Sequence, residues 1–192
     1  LDLARDAGFD DDRLRDLREA VALEAYYQSY EDKRELITDI LFGGQADPDA
    51  DVRSLAAHVA EQFRIKLDDE LETAAANLDR RSEDGVEVAV LDADAYTHRY
   101  DFPPTPLLVD ELHRRHREGD RFATVVATMD DLYVRATDEV DVRAVAEQAR
   151  EALPEAGVTA VGVRENRIEF LSGARDEVVD AVVDATVASL AE

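Results

Sequence analysis

The chain has 192 residues, a length that fits one or two domains. Its 46 acidic side chains outnumber 22 basic ones, for a formal net charge of −24, while 45% apolar content argues against disorder. The absence of cysteine excludes disulfides and thiol catalysis, and no signal peptide or apolar run near the ~18 residues of a membrane helix is visible.

The first predicted element is a helix over residues 10–42, where apolar residues recur at spacings of three and four. Tyr26, Tyr27 and Tyr30 lie within it and form either an aromatic seam between helices or a stacking platform. The glycines, proline and aspartates of FGGQADPDAD, residues 42–51, then predict a break.

A second, long helix is predicted from about Pro48 to Arg80, because one apolar stripe continues through this segment. About 30 helical residues span roughly 45 Å, so we expect this helix to connect two bodies. The polar sequence RRSEDG, residues 80–85, marks the expected boundary.

From Val86 onward the pattern is strand, helix, two strands, helix, two strands, helix. The segments are VEVAVL, TPLLVDELHRRH, FATVVAT, LYVRAT, DVRAVAEQAREAL, VTAVGV, IEFL and DEVVDAVVDATVASL. Thr105, followed by Pro106, and Asp141 are predicted helix N-caps. These elements predict an α+β protein, with a helical segment and connector at residues 1–84 and a mixed sheet carrying helices on its faces at residues 85–192.

The C-terminal segment resembles the DHHA1 domain of the DHH phosphoesterase superfamily. The sequence LYVRATDEVDVRAVAEQ is similar to the family's strand ending in a basic residue, polar turn and Val-Asp-Val helix start. In PEAGVTAVGV, Ala160 and Gly162 match the Ala and Gly that follow the family's GGGH element, whereas Gly157 stands at its histidine. Pro154, Glu155 and Ala156 replace the glycines.

The superfamily includes RecJ-like exonucleases, oligoribonucleases and exopolyphosphatase-related proteins. The resemblance therefore implies the substrate-binding part of a phosphoesterase that acts on short oligonucleotides, nucleic-acid ends or another phosphoester or polyphosphate. A degenerate, non-catalytic module for assembly or nucleic-acid binding is the alternative, because the GGGH element is replaced.

The resemblance implies that Mn²⁺ or Mg²⁺ belongs to an N-terminal catalytic lobe, expected upstream of Leu1. The sequence has no DHH tripeptide, and its four histidines are scattered. Two-metal phosphoryl chemistry needs clustered carboxylates and histidines. We therefore expect no cofactor and no catalytic residue in this chain, and no hydrolysis of oligonucleotides or polyphosphate by it alone.

Arg135 is the first candidate substrate ligand, since the family's matching basic residue holds a substrate phosphate. A guanidinium suits phosphate because it offers forked, charge-assisted donors. Arg164 and Arg167 flank a tight turn and are further candidates, with a solvated hairpin tip as the alternative. His98 and Arg99 precede a predicted helix N-terminus, where anions bind, or pack within a tyrosine-containing loop.

The only basic cluster is HRRHREGDR, residues 113–121, which either contacts a polynucleotide backbone or complements the negative end of a helix. His113 and His116 lack a third residue spaced to complete a metal site.

The acidic composition, with Lys33 and Lys66 as the only lysines, is typical of a halophilic cytoplasmic protein. In molar salt the Debye length falls to about 3 Å, so the −24 charge is weak evidence against nucleic-acid binding. The expected partner is a nucleotide or short oligonucleotide, with no membrane, and a homodimer is a candidate assembly.

Overall fold

A computed structural model describes residues 10–27, 52–97, 102–162 and 166–191. The chain divides into two compact units, Leu1–Asp69 and Glu70–Glu192. The predicted domain boundary between residues 84 and 85 remains a prediction. No helix within the described residues is both long and apolar enough to cross a membrane.

The first unit contains two described helices, α1 at Asp11–Tyr27 and α2, which starts at Val52 and continues to Ala76 in the second unit. Apolar residues at helical spacing are buried here, among them Leu14, Val59 and Phe63. Arg64 links the helices through ion pairs with Asp16 at 2.6 Å and Glu19 at 2.5 Å. The predicted roles of Tyr26, Tyr27 and Tyr30 concern side chains outside the described part of the structure.

The predicted end of α2 at Arg80 is wrong, because the helix ends at Ala76 and residues 79–83 form a strand. This strand, β1 at Asp79–Glu83, pairs antiparallel with β2 at Val86–Asp92. Asp84 and Gly85 connect them with positive φ angles of 51° and 77°, as an Asp-Gly hairpin turn requires. The polar sequence concealed the strand because β1 lies at the sheet edge, where its side chains meet water.

The second unit is built on one six-stranded sheet within the described residues, in the order β1-β2-β3-β4-β6-β5. Strands β2 and β3 are parallel and the other pairs are antiparallel, so the sheet is mixed, as predicted. The remaining strands are β3 at Phe122–Ala127, β4 at Asp131–Ala136, β5 at Thr159–Val161 and β6 at Arg167–Glu169.

Helices lie on both faces of this sheet, which confirms the predicted α+β architecture. They are α3 at Asp94–Thr97, α4 at Thr105–His116, α5 at Val142–Ala152 and α6 at Arg175–Ala191. Helix α4 packs on β3 and β4, whereas α5 and α6 pack together over the main apolar core. Strand β3 is buried throughout because helices cover it on both sides.

The two predicted helix caps differ in outcome. The Asp141 carboxylate accepts hydrogen bonds from the backbone N–H groups of Arg143 at 2.9 Å and Ala144 at 3.4 Å, which confirms this cap. Thr105 is instead the first residue of α4, and the N-cap is Pro104, which makes no side-chain cap. The extended backbone of Pro104, with ψ of 141°, moves the helix start by one residue.

Candidate functional site

Arg135 lies near the end of β4, on the face of the sheet that α4 covers. Side chains alternate along a strand, and Leu132, Val134 and Ala136 pack into or against the core on the opposite face. Thr124 of β3 is the cross-strand partner of Arg135. The Arg135 side chain remains 32% exposed, so its guanidinium reaches solvent from an inner strand of the sheet.

One carboxylate of α4 orients this guanidinium. Nε of Arg135 donates a hydrogen bond to Oδ1 of Asp110, whose side chain is 47% exposed. The terminal amino groups of Arg135 make no hydrogen bond within the described residues. The ion pair therefore holds the guanidinium while leaving most of its forked donors for a ligand.

His113 lies one turn after Asp110 on α4 and contacts the same face of the sheet. Its Nδ1 is 3.2 Å from Oγ1 of the fully buried Thr124, and its ring centroid is 5.5 Å from that of Phe122. Burial lowers the pKa of His113, the positive charges of Arg117 and Arg135 lower it further, and Asp110 opposes them. The ring is therefore neutral near pH 7, beside two cations.

Arg167 of β6 is a diagonal neighbour of Arg135, because Tyr133 pairs directly with Arg167. Two carboxylates hold it: Asp131 accepts from Nε at 2.8 Å and Nη2 at 3.0 Å, and Glu169 lies 2.9 Å from Nη2. The hydrogen bond with Asp131 raises the pKa of Arg167. Arg167 of β6 therefore links to Asp131 of β4, across neighbouring strands of the sheet. The other candidates, Arg164, His98 and Arg99, lie outside the described residues.

The segment that stands in place of the GGGH element forms a compact turn after α5, and its Ala156 carbonyl accepts a hydrogen bond from the Leu171 N–H. Pro154–Ala156 form a 3-10 turn, and Gly157 after it has a φ of 66°. A Cβ atom added at Gly157 would lie only 3.0 Å from Cγ of Leu171. The position that holds histidine in the family therefore needs glycine in this chain.

Gly157→Ala is expected to lower the free energy of unfolding by about 1–2 kcal/mol, because alanine pays a steric cost at positive φ. Urea denaturation followed by circular dichroism measures this loss. Gly173→Ala is the matched control, since nothing lies within 4 Å of its added methyl group. Equal stability of the two variants would contradict the expected strain at Gly157.

A second charged cluster lies at the carboxyl ends of β2 and β3, around a pocket of about 310 Å³. Arg175 contacts Asp92 at 2.6 Å and donates to the Thr128 carbonyl at 3.0 Å. Arg81 contacts Asp180 at 2.7 Å. These links join the sheet to α6, so the cluster has a clear structural role.

Within the described residues, no group of three histidine, aspartate or glutamate side chains is placed to hold a metal ion. The resemblance assigns Mn²⁺ or Mg²⁺ to a separate catalytic lobe, and the described part of this chain offers no such ligand set.

The sequence predicts Arg135 as a ligand but does not show that Asp110, His113 and Thr124 lie around it. In the sequence, His113 belongs only to a basic cluster or an incomplete metal pair. The available signal was Thr124, a polar residue within the apolar sequence FATVVA. A buried hydroxyl needs a partner, and here that partner is the histidine ring.

No protein-family model and no curated protein matches the chain. Among solved structures, it is similar to a DHH domain described as a member of the s1p family of ribosomal proteins. The TM-score is 0.75 at 23% sequence identity, and the match covers 97% of this chain and 45% of that one. This chain thus spans less than half of its structural neighbour. At this identity the likeness concerns the fold, and the chain has a DHH/DHHA1-type fold, as the resemblance predicted.

Proposed function

We propose that the chain is the substrate-binding part of a metal-dependent DHH-type phosphoesterase. Its ligand is a phosphate carried by a short oligonucleotide, a nucleic-acid end or another phosphoester or polyphosphate. The observation that carries the proposal is Arg135, half-buried on an inner strand and oriented by a single carboxylate. The DHH/DHHA1-type fold supports it.

Phosphate is the ligand class that fits this arginine best. A guanidinium and a phosphate form two parallel charge-assisted hydrogen bonds, and the fixed fork loses little entropy when they form. Nε of Arg135 already donates to an anionic oxygen of Asp110, so an anion is the kind of partner that this guanidinium binds. The proposed ligand places its oxygens on the terminal amino groups or displaces the exposed carboxylate.

Salt concentration determines how a phosphate is attracted to this site. A net charge of −24 repels anions at low ionic strength. In molar salt, where charges are screened beyond about 3 Å, only groups in direct contact attract the phosphate. We infer a halophilic, cytoplasmic protein whose phosphate ligand is bound by contact rather than by long-range attraction.

Calorimetric titration of the chain with a dinucleotide in molar KCl tests the proposal. We expect measurable binding heat that persists as KCl is raised from one molar to a higher concentration. Absence of heat at every salt concentration, with the chain folded by circular dichroism, would refute a substrate-binding role.

Asp110→Asn is expected to tighten dinucleotide binding by up to about 1 kcal/mol, the scale of an exposed ion pair. The reason is that the carboxylate competes with phosphate for Arg135, whereas an amide does not. Asp180→Asn is the matched control, because it removes the same charge from another arginine pair far along the sequence. Weaker binding by Asp110→Asn would mean that orienting Arg135 matters more than competition for it.

The second candidate function is a degenerate module that serves assembly or nucleic-acid binding without catalysis. The compact Pro154–Gly157 segment favours it, because the family's glycine-rich element is replaced by a 3-10 turn. In its assembly form this candidate predicts no dinucleotide binding, and self-association, for example as a homodimer, through the helices before Arg80. Analytical ultracentrifugation in molar KCl distinguishes the two: a monomer that binds dinucleotide excludes the assembly function.

A further inference from the structure

We propose that His113 and Arg117 complete an anion site with Arg135, and that this site prefers a doubly charged terminal phosphate to an internal phosphodiester. The inference rests on the proposed phosphate-binding function and names its substrate class. The three residues come from the last turn of α4 and from β4, which pack directly against each other.

The arginines at the end of α4 differ in whether they form ion pairs. Glu111 forms ion pairs with Arg114 at 2.5 Å and with Arg115 at 3.5 Å, so these two arginines share a carboxylate within the helix. Arg117 has no side-chain hydrogen bond or ion pair in the described part of the chain and is exposed.

Arg117 lies close enough to His113 to act on it. Its backbone N–H donates to the His113 carbonyl at 3.0 Å, so the two residues are one helical turn apart on the same side of α4. The His113 ring contacts Thr124, which is the cross-strand partner of Arg135, so Arg135 also lies beside the ring. The positive charges of Arg117 and Arg135 both lower the pKa of His113.

His113 can keep its hydrogen bond to Thr124 in both the neutral and the protonated state. Its Nδ1 faces the Thr124 hydroxyl, which donates to a neutral ring nitrogen and accepts from a protonated one. Both charge states of the ring are therefore satisfied in the same position. A bound anion offsets the two arginine charges that disfavour the imidazolium, so His113 takes up a proton from water when the anion binds.

The charges around the ring select the ligand. Asp110 and Arg117 face it from α4, Arg135 faces it from β4, and the contacts from β3 are the uncharged Phe122 and Thr124. With a neutral ring the cluster carries one net positive charge, and protonation raises this to two. A phosphomonoester dianion matches the protonated cluster, whereas a phosphodiester carries a single charge.

Sulfate is the probe for the protonation step, because it stays doubly charged where phosphate itself titrates. At constant ionic strength, we expect sulfate to bind up to about tenfold more tightly at pH 5.5 than at pH 7.5, if the anion raises the His113 pKa by about one unit. The sign follows because binding takes up a proton, so lower pH favours the complex. Sulfate affinity that is equal at both pH values would overturn the inference.

Two variants, each with a control, assign the effect to residues. His113→Gln should lose the pH dependence, while His116→Gln, which removes another half-buried histidine of α4, should keep it. Arg117→Ala should weaken sulfate binding severalfold, and Arg143→Ala, an exposed arginine on α5, should not. Because Arg117 is exposed, its loss should leave folding intact, which unfolding midpoints verify. Identical behaviour of each variant and its control would overturn the assignment.

Selectivity is measured by comparing a nucleoside monophosphate with a dinucleoside monophosphate at pH 7.5. We expect tighter binding of the terminal phosphate, and a smaller preference in Arg117→Ala. If both ligands bind equally and only Arg135→Ala weakens them, the proposed function stands and this inference fails. If neither ligand nor sulfate binds, the proposed function itself fails.

Discussion

Arg135→Ala is expected to weaken binding of a short oligonucleotide or mononucleotide by about 1.5–3 kcal/mol, the scale of hydrogen bonds to a charged group. This corresponds to roughly a 10- to 150-fold rise in Kd. The physical reason is that alanine removes the forked donors and leaves Asp110 without its cation, so the local charge becomes repulsive.

Calorimetry in molar KCl measures this loss, where only contact interactions survive screening. Arg143→Ala is the matched control, because it removes an equally charged, exposed arginine from α5 on the other face of the sheet. Arg135→Lys should fall between the two, since lysine keeps the charge but lacks the planar fork. A Kd for Arg135→Ala equal to that of Arg143→Ala would exclude Arg135 as a phosphate ligand.

Leu132→Ala is expected to lower the free energy of unfolding by about 2–5 kcal/mol. Leu132 lies on β4 with 0% exposure, inside the apolar core formed with α5 and α6. Truncation removes buried methyl groups and leaves a cavity. The surrounding strands and helices cannot move far enough to fill it, because the sheet is packed between two layers of helices.

Urea denaturation gives this value, and Leu171→Ala is the control of the same residue type with 60% exposure. The control is expected to lose less than about 1 kcal/mol. Leu132 and Arg135 share a strand but point to opposite faces, so folded Leu132→Ala should bind dinucleotide normally. A similar loss in both leucine variants would contradict the packing described for this core.

The sequence by itself determined most of the helices and strands after Val86. The β3–β4 hairpin is readable because two apolar runs flank a short polar turn, and the Asp141 cap is readable because a cap bonds only to residues two and three positions later. These features depend on neighbours in sequence. The resemblance to DHHA1 domains, which led to the correct fold, also rests on one continuous segment around Arg135.

Only the tertiary structure decided which side chains meet. Strand β1 escaped detection because an exposed edge strand has no apolar alternation, and it is defined instead by its pairing with β2. Arg167 was a candidate ligand from its turn, yet its partner Asp131 lies 36 residues away on another strand.

The same holds for the site itself. Asp110 and His113 reach Arg135 and Thr124 because α4 crosses the face of β3 and β4, a placement set by which apolar surfaces bury each other. Spacing along the chain records the face of an element on which a residue lies, but not the surface against which that face packs. The sequence therefore proposes Arg135 as a candidate, whereas the packing of α4 on the sheet decides that Asp110 and His113 lie beside it.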